Sequence, residues 1–264
     1  MNILDNIVQA KRKEVAERRS LYPVALLEKS KFFDTRCVSM KYYLEEKNAS
    51  GIIAEFKRKS PSRGWISRYA KVREVTLSYM QAGAAALSVL TDEFFFGAQD
   101  KDIFYARELN YCPVLRKDFI IDEYQVYESR SMGADVVLLI AKILSPARVR
   151  SLTRVAHSLG MEVLLEVQDE GEILENAGAE ADLIGVNNRN LRDFSLNFEN
   201  SARLASLLPE DKIGVAESGI ETAADIRKLK QAGFKGFLVG TRFMRHSDPG
   251  QACRELIKKL DDED

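Results

Sequence analysis

Apolar residues gather along this chain in eight short runs rich in β-branched side chains: Gly51–Glu55, Ala85–Leu90, Cys112–Leu115, Asp135–Ile140, Met161–Glu166, Asp182–Asn187, Lys212–Glu217 and Gly236–Gly240. The segments between them repeat apolar positions at helical spacing, so the pattern is strand then helix, eight times. Strand starts are 21 to 34 residues apart, room for a short strand, a helix and two loops. The turns QAGAAALSVL, SMGADVVLLI, NAGAEADLIGV and QAGFKGFLVG share small residues before the next strand. Such recurrence predicts one repeated unit with right-handed crossovers. The fold expected is an α/β (β/α)8 (TIM) barrel over residues 48–264, a single catalytic domain.

Residues 1–47 hold no strand candidate. Ile3, Leu4, Ile7 and Val8 form one helical stripe followed by KRKEVAERR, a second helix is expected over Val24–Lys29, and a third over Asp34–Glu46 with the aspartate as cap. This N-terminal helical extension is expected to pack on the barrel, at its floor or over its mouth. Glu14 and Glu17, interleaved with the basic run, read as a solvated helix face.

Composition narrows the function classes. Lysine and arginine number 39 against 40 aspartates and glutamates, so no global field draws the chain to nucleic acid or an anionic membrane. No apolar run is long enough to span a bilayer, and the start lacks the order of a signal peptide, so a cytoplasmic protein is expected. Cys37, Cys112 and Cys253 show no pairing pattern and are read as reduced. The two histidines, His157 and His246, sit near a helix end and in a loop, which leaves acid and base chemistry to lysine and carboxylate. Neither a metal nor a cofactor is called for.

In a β/α barrel the chemistry sits at the C-terminal ends of the strands. In IIAEFKRKSPSRG, strand alternation puts Glu55 and Lys57 on one side, and Ser-Pro-Ser-Arg-Gly reads as a mobile polar loop able to close over a ligand. In CPVLRKDFIID, Arg116, Lys117 and Asp118 interrupt an apolar run; Lys117 there can be a general acid, a Schiff-base former or an anion holder, with Asp118 to orient it. Glu166, Asn187 and Arg189 stand at the corresponding ends of later strands. After the last two strands, Gly219, Gly240 and Thr241 are small enough for backbone N–H groups to approach a phosphate, with Glu217 beside them. Thr91 and Lys142 read as ordinary loop residues.

These segments, with LSVLTDEFFFG, GADVVLLI, LLEV, IGVNNRNLRDF, VAESGI and GFLVGTRFM, resemble the indole-3-glycerol phosphate synthases of tryptophan biosynthesis over residues 51–244. The resemblance implies a phosphorylated small-molecule substrate, 1-(2-carboxyphenylamino)-1-deoxyribulose 5-phosphate, closed to an indole with loss of CO2 and water. It implies Lys117 as the acid toward the ribulose carbonyl oxygen and Lys57 near the carboxylate or in the dehydration. Glu166 is implied as a second acid/base, Glu55 and Asn187 as positioning groups, and Glu217 and Ser218 as a polar wall. Arg189 resembles the family's site arginine, and Phe96, Phe119, Leu138, Leu191 and Leu238 the apolar bed for the anthranilate ring. Ser60, Gly219, Gly240 and Thr241 would hold the phosphate. Two ammonium groups in one pocket are expected to lower each other's pKa. Phe94 stands where many relatives carry lysine, and Thr241 where serine is frequent. The chain is expected to be a monomer; a Schiff-base aldolase or other phosphosugar barrel, or a non-catalytic sugar-phosphate binding barrel, are the competing readings.

Overall fold

A computed structural model describes residues 3–189 and 198–262. Eight parallel strands close into a barrel: β1 (Ile52–Phe56), β2 (Ala86–Leu90), β3 (Val114–Lys117), β4 (Val136–Ile140), β5 (Glu162–Val167), β6 (Leu183–Asn187), β7 (Ile213–Glu217) and β8 (Gly236–Val239). β1 pairs with both β2 and β8, which closes the ring. The apolar runs were buried on both faces, as parallel strands covered by helices must be. Ile53, Leu115, Leu138, Leu164, Leu183, Val215 and Leu238 fill the barrel interior, while Val89, Val137, Val163 and Phe237 pack outward beneath the helices.

Four of the helices that follow the strands begin at side-chain caps, which fixes where the preceding loops at the barrel mouth end. Asp122 and Gln125 form a capping box on Glu123–Met132, and Ser145 caps Pro146–Ser158. Asp169 and Thr222 do the same for Glu170–Glu175 and Ala223–Gln231.

The N-terminal helices serve both ends of the barrel. Helix α1 (Ile3–Leu21) reaches the mouth, where Leu4 and Ile7 line the central pocket. Helix α2 (Val24–Leu27) follows, and α3 (Met40–Glu45) inserts Met40 and Leu44 into the interior cluster from the floor. The helix expected from Asp34 instead starts after Ser39, whose hydroxyl accepts from Tyr42 N. The reason lies far along the chain: Glu162 at the start of β5 accepts from Ser39 Oγ, from Met40 N at 2.7 Å and from Lys41 N at 3.1 Å, a carboxylate at a helix N-terminus.

The basic run of α1 is likewise not a solvated face throughout. Lys11 is 1% exposed, its Nζ 2.8 Å from Glu14, 2.9 Å from Asp92 and 3.0 Å from Asp118. These three carboxylates pay for the burial of its ammonium and raise its pKa despite desolvation.

Candidate active site

The strand ends converge on one cavity of about 210 Å³, ringed by Glu55, Lys57, Lys117, Glu166, Asn187, Arg189, Glu217 and Ser218 above a bed of Phe96, Phe119, Leu138 and Leu238. Ser60, Gly219, Gly240 and Thr241 also line it. Of the residues singled out by sequence, only Leu191 falls outside the described residues. Leu4, Ile7, Leu90 and Arg242 also line the cavity and were not singled out, and Arg63 lines it from the Ser-Pro-Ser-Arg-Gly loop expected to close over a ligand. Leu4, Ile7 and Lys11 share one helical stripe, which was the available signal for α1.

Lys117 is the electrostatic centre. Alternation along β3 turns it inward with Leu115, and its ammonium is held by Glu217 and, at 3.2 Å, by Glu166. Burial opposes its charge, but Glu217, Glu166 and Glu55 outweigh that and raise its pKa. For Lys117 the expected lowering by a second ammonium is therefore reversed, because it sits among carboxylates, while Lys57 is itself paired with Glu55 at 2.6 Å. Desolvation pushes Glu217 up to about 7 against the pull of Lys117, with Glu166 and Glu55 adding to the rise.

The carboxylates are aimed by their neighbours. Asn187 Nδ2 donates to Glu166 Oε1 at 3.0 Å, and Asn187 Oδ1 accepts from Arg189 N at 3.0 Å. One amide thus fixes both the Glu166 carboxylate and the turn that carries Arg189. A Cβ at Gly240 would overlap the Glu55 carboxylate, so that glycine makes room for the Glu55–Lys57 pair.

Asp118 does not orient Lys117. It bonds Arg116 at 2.9 Å, Lys11 at 3.0 Å and Thr91 Oγ1 at 2.6 Å, and Arg116 continues to Glu128 at 2.8 Å. Successive residues of a strand end point oppositely, so Lys117 faces the cavity while Arg116 faces the helices. Thr91, taken for a loop residue, belongs to this buried network, whereas Lys142 pairs with Glu172 at 3.1 Å away from the cavity.

At the other rim, Ser218 and Gly219 both have positive φ, 69° and 76°, which turns the chain sharply after β7. A serine in that region is held there at a cost, and Asn188 Nδ2 pins its carbonyl at 2.9 Å. The buried Ser60 hydroxyl has no hydrogen-bond partner among the described residues. The polar loop after β1, expected to be able to close over a ligand, contains a short antiparallel hairpin pairing Lys59–Ser60 with Gly64–Trp65. Lys59 Nζ ties it down by donating to Phe94 O at 2.8 Å between the Trp65 and Phe94 rings.

Residues 4–256 match the family model for indole-3-glycerol phosphate synthase. The chain belongs to the indole-3-glycerol phosphate synthase family. Its curated relatives of that name include one from Bacteroides thetaiotaomicron, 46% identical over 98% of this chain and 99% of the relative. Another, from Polaromonas sp., is 41% identical over 97% and 98%. The family's activity, that of a decarboxylating carbon–carbon lyase in tryptophan biosynthesis, comes with membership over nearly the whole chain. Among solved structures, thiamine phosphate pyrophosphorylase from Pyrococcus furiosus superposes with a TM-score of 0.61 at 17% identity, covering 81% of this chain and 98% of that one. 3-Hexulose-6-phosphate synthase from Salmonella typhimurium gives 0.59 at 14%, covering 81% and 99%. Those two likenesses bear on the fold alone. No helix among the described residues is long and apolar enough to cross a membrane.

Proposed function

We propose that the cavity closes 1-(2-carboxyphenylamino)-1-deoxyribulose 5-phosphate to indole-3-glycerol phosphate with Lys117 as the general acid. The observation that carries this reading is the Lys117 ammonium, clamped by Glu217 and Glu166 over an apolar bed. The ring carbon bearing the carboxylate attacks the ribulose carbonyl carbon, and the carbonyl oxygen takes a proton from Lys117. A raised lysine pKa does not hinder this step. It keeps the donor charged, and the oxygen it protonates becomes an alcohol, whose acidity is near that of water, about 15.7. Loss of CO2 then returns the electron pair to the ring, and departure of the hydroxyl with a proton forms the indole double bond.

Glu166 assists that dehydration, steadied by Asn187. Lys57 meets the substrate carboxylate or serves the dehydration, with Glu55 holding it in place. Glu217 and Ser218 complete the polar wall, and Arg189 binds the substrate's polar groups. Phe96, Phe119, Leu138 and Leu238 take the anthranilate ring, which desolvates the reacting carbon. The phosphate rests on Gly219, Gly240 and Thr241, reached by the unpaired Ser60 hydroxyl. Thr241 keeps the hydroxyl and N–H that a serine would offer. The extension, residues 1–47, and the barrel, 48–264, work as one catalytic unit, monomeric and cytoplasmic.

Incubating the purified chain with the substrate tests this directly. Indole fluorescence should grow with turnover, and borohydride should trap no covalent adduct. Substrate binding without indole formation would leave a sugar-phosphate binding barrel, and a borohydride-trapped lysine would leave a Schiff-base enzyme.

A further inference from the structure

β6 carries Gly185 two residues before Asn187, on the same inward face. It lies in register with Glu166 of β5 and Val215 of β7. A Cβ at this position would overlap Glu217 Oε1 and stand 3.3 Å from Glu217 Cδ and 3.3 Å from Leu164 Cδ1. The Glu217 side chain therefore leans back from the end of β7 over the space the glycine leaves. Its Oε1 is buried there without a hydrogen bond among the described residues, while Oε2 takes the Lys117 ammonium.

A glycine inside a strand is unfavourable on entropic grounds and contributes no packing, and the next inward position of β6, Leu183, is filled by a full side chain in the interior cluster. The gap at Gly185 is thus specific to the level of the carboxylate. We propose that Gly185 is a positioning residue for the reaction at Lys117, acting through Glu217 by leaving open the volume its carboxylate occupies. This rests on the reading of Lys117 as the acid.

Gly185→Ala puts that to the test. The methyl group meets the far end of a rotatable side chain, so the carboxylate gives way and the strand stays. A displacement of roughly 1 Å in such a group is expected to lower kcat about 100-fold. KM should change only a few-fold, since the substrate's own contacts are kept. The Lys117 limb of the kcat–pH profile should move to lower pH, because Glu217 no longer supports the ammonium. Glu217→Asp shortens the offending arm, so the double variant Gly185→Ala/Glu217→Asp should turn over about ten-fold faster than the product of the two single effects predicts.

A Gly185→Ala kcat within three-fold of the parent overturns the inference. So does a double variant whose loss equals that product. If Gly185→Ala alone misfolds while the double variant folds, the steric argument stands; if neither folds, the glycine serves Leu164 packing and the inference fails. Lys117→Ala and Glu217→Gln, measured alongside, keep the two claims separate. Full activity in both removes the underlying reading, whereas their loss with an active Gly185→Ala removes only the role of the glycine.

Discussion

Replacing Lys11 by methionine should destabilise this protein far more than removal of a lysine from a charged helix would suggest. The ammonium is 1% exposed and lies within 3.0 Å of Asp92 and Asp118, both buried, and 2.8 Å from Glu14. Methionine fills the space but leaves two buried carboxylates facing each other. Breaking a buried pair from one side costs about 3–5 kcal/mol. Asp118 keeps Arg116 and Asp92 keeps its bond from Phe95 N at 2.7 Å, so the lower end, about 3 kcal/mol, is expected here. For a chain of this size that is a fall in Tm of roughly 6–12 °C.

The pH dependence has a definite sign. Lys11 and Arg116 hold the Asp118 pKa down, against the desolvation that would raise it. Such a depressed carboxyl contributes stability above its unfolded pKa of about 3.9 and loses it as pH falls through the folded value. The methionine variant should lack part of this contribution at neutral pH, and its deficit should narrow on acidification. Thermal unfolding of both proteins at pH 7 and pH 3, below the unfolded aspartate pKa, followed by circular dichroism, checks this. A Tm loss below 2 °C at pH 7, or a deficit that widens at pH 3, would refute the argument.

Three further outcomes follow from the site. Asn187→Ala frees the Glu166 carboxylate and should lower kcat roughly ten-fold or more with little change in KM, read by steady-state indole fluorescence. Glu217, with its pKa raised to about 7 by burial, keeps a proton in the folded state that the unfolded chain releases near pH 4.3. Stability should therefore decline as pH rises between those values, and urea titrations of Glu217→Gln should show a flatter dependence. Lys59→Ala cuts the tie between the hairpin and Phe94 and should raise KM several-fold, checked by substrate saturation curves.

The barrel was legible because its strands announce themselves. Val136–Ile140 is apolar throughout and Ile213–Glu217 is apolar up to its last residue, and only a strand buried on both faces asks for that. The pocket residues were legible for the complementary reason, since Glu55, Lys117, Glu166, Asn187 and Glu217 each break such a run at the same end. What escaped depends on partners distant in the chain. KRKEVAERR looks solvated until Asp92 and Asp118 are brought to Lys11, although its place on the stripe of Leu4 and Ile7 was a hint. The start of α3 is set by Glu162, more than 120 residues away. Asp118 follows Lys117 directly, yet pleating sends the two to opposite faces. Phe94 lies in the short helix Glu93–Phe96 and is 74% exposed, but its carbonyl holds the hairpin.

The central claim is that Lys117 supplies the proton for ring closure, with Glu166 beside it. The measurement that bears on it most directly is kcat for Lys117→Ala and Glu166→Gln on the anthranilate-ribulose phosphate, by indole fluorescence, with folding verified by circular dichroism. Both are predicted to fall by roughly two decades or more while the fold is kept. Turnover near that of the parent in both variants would contradict it.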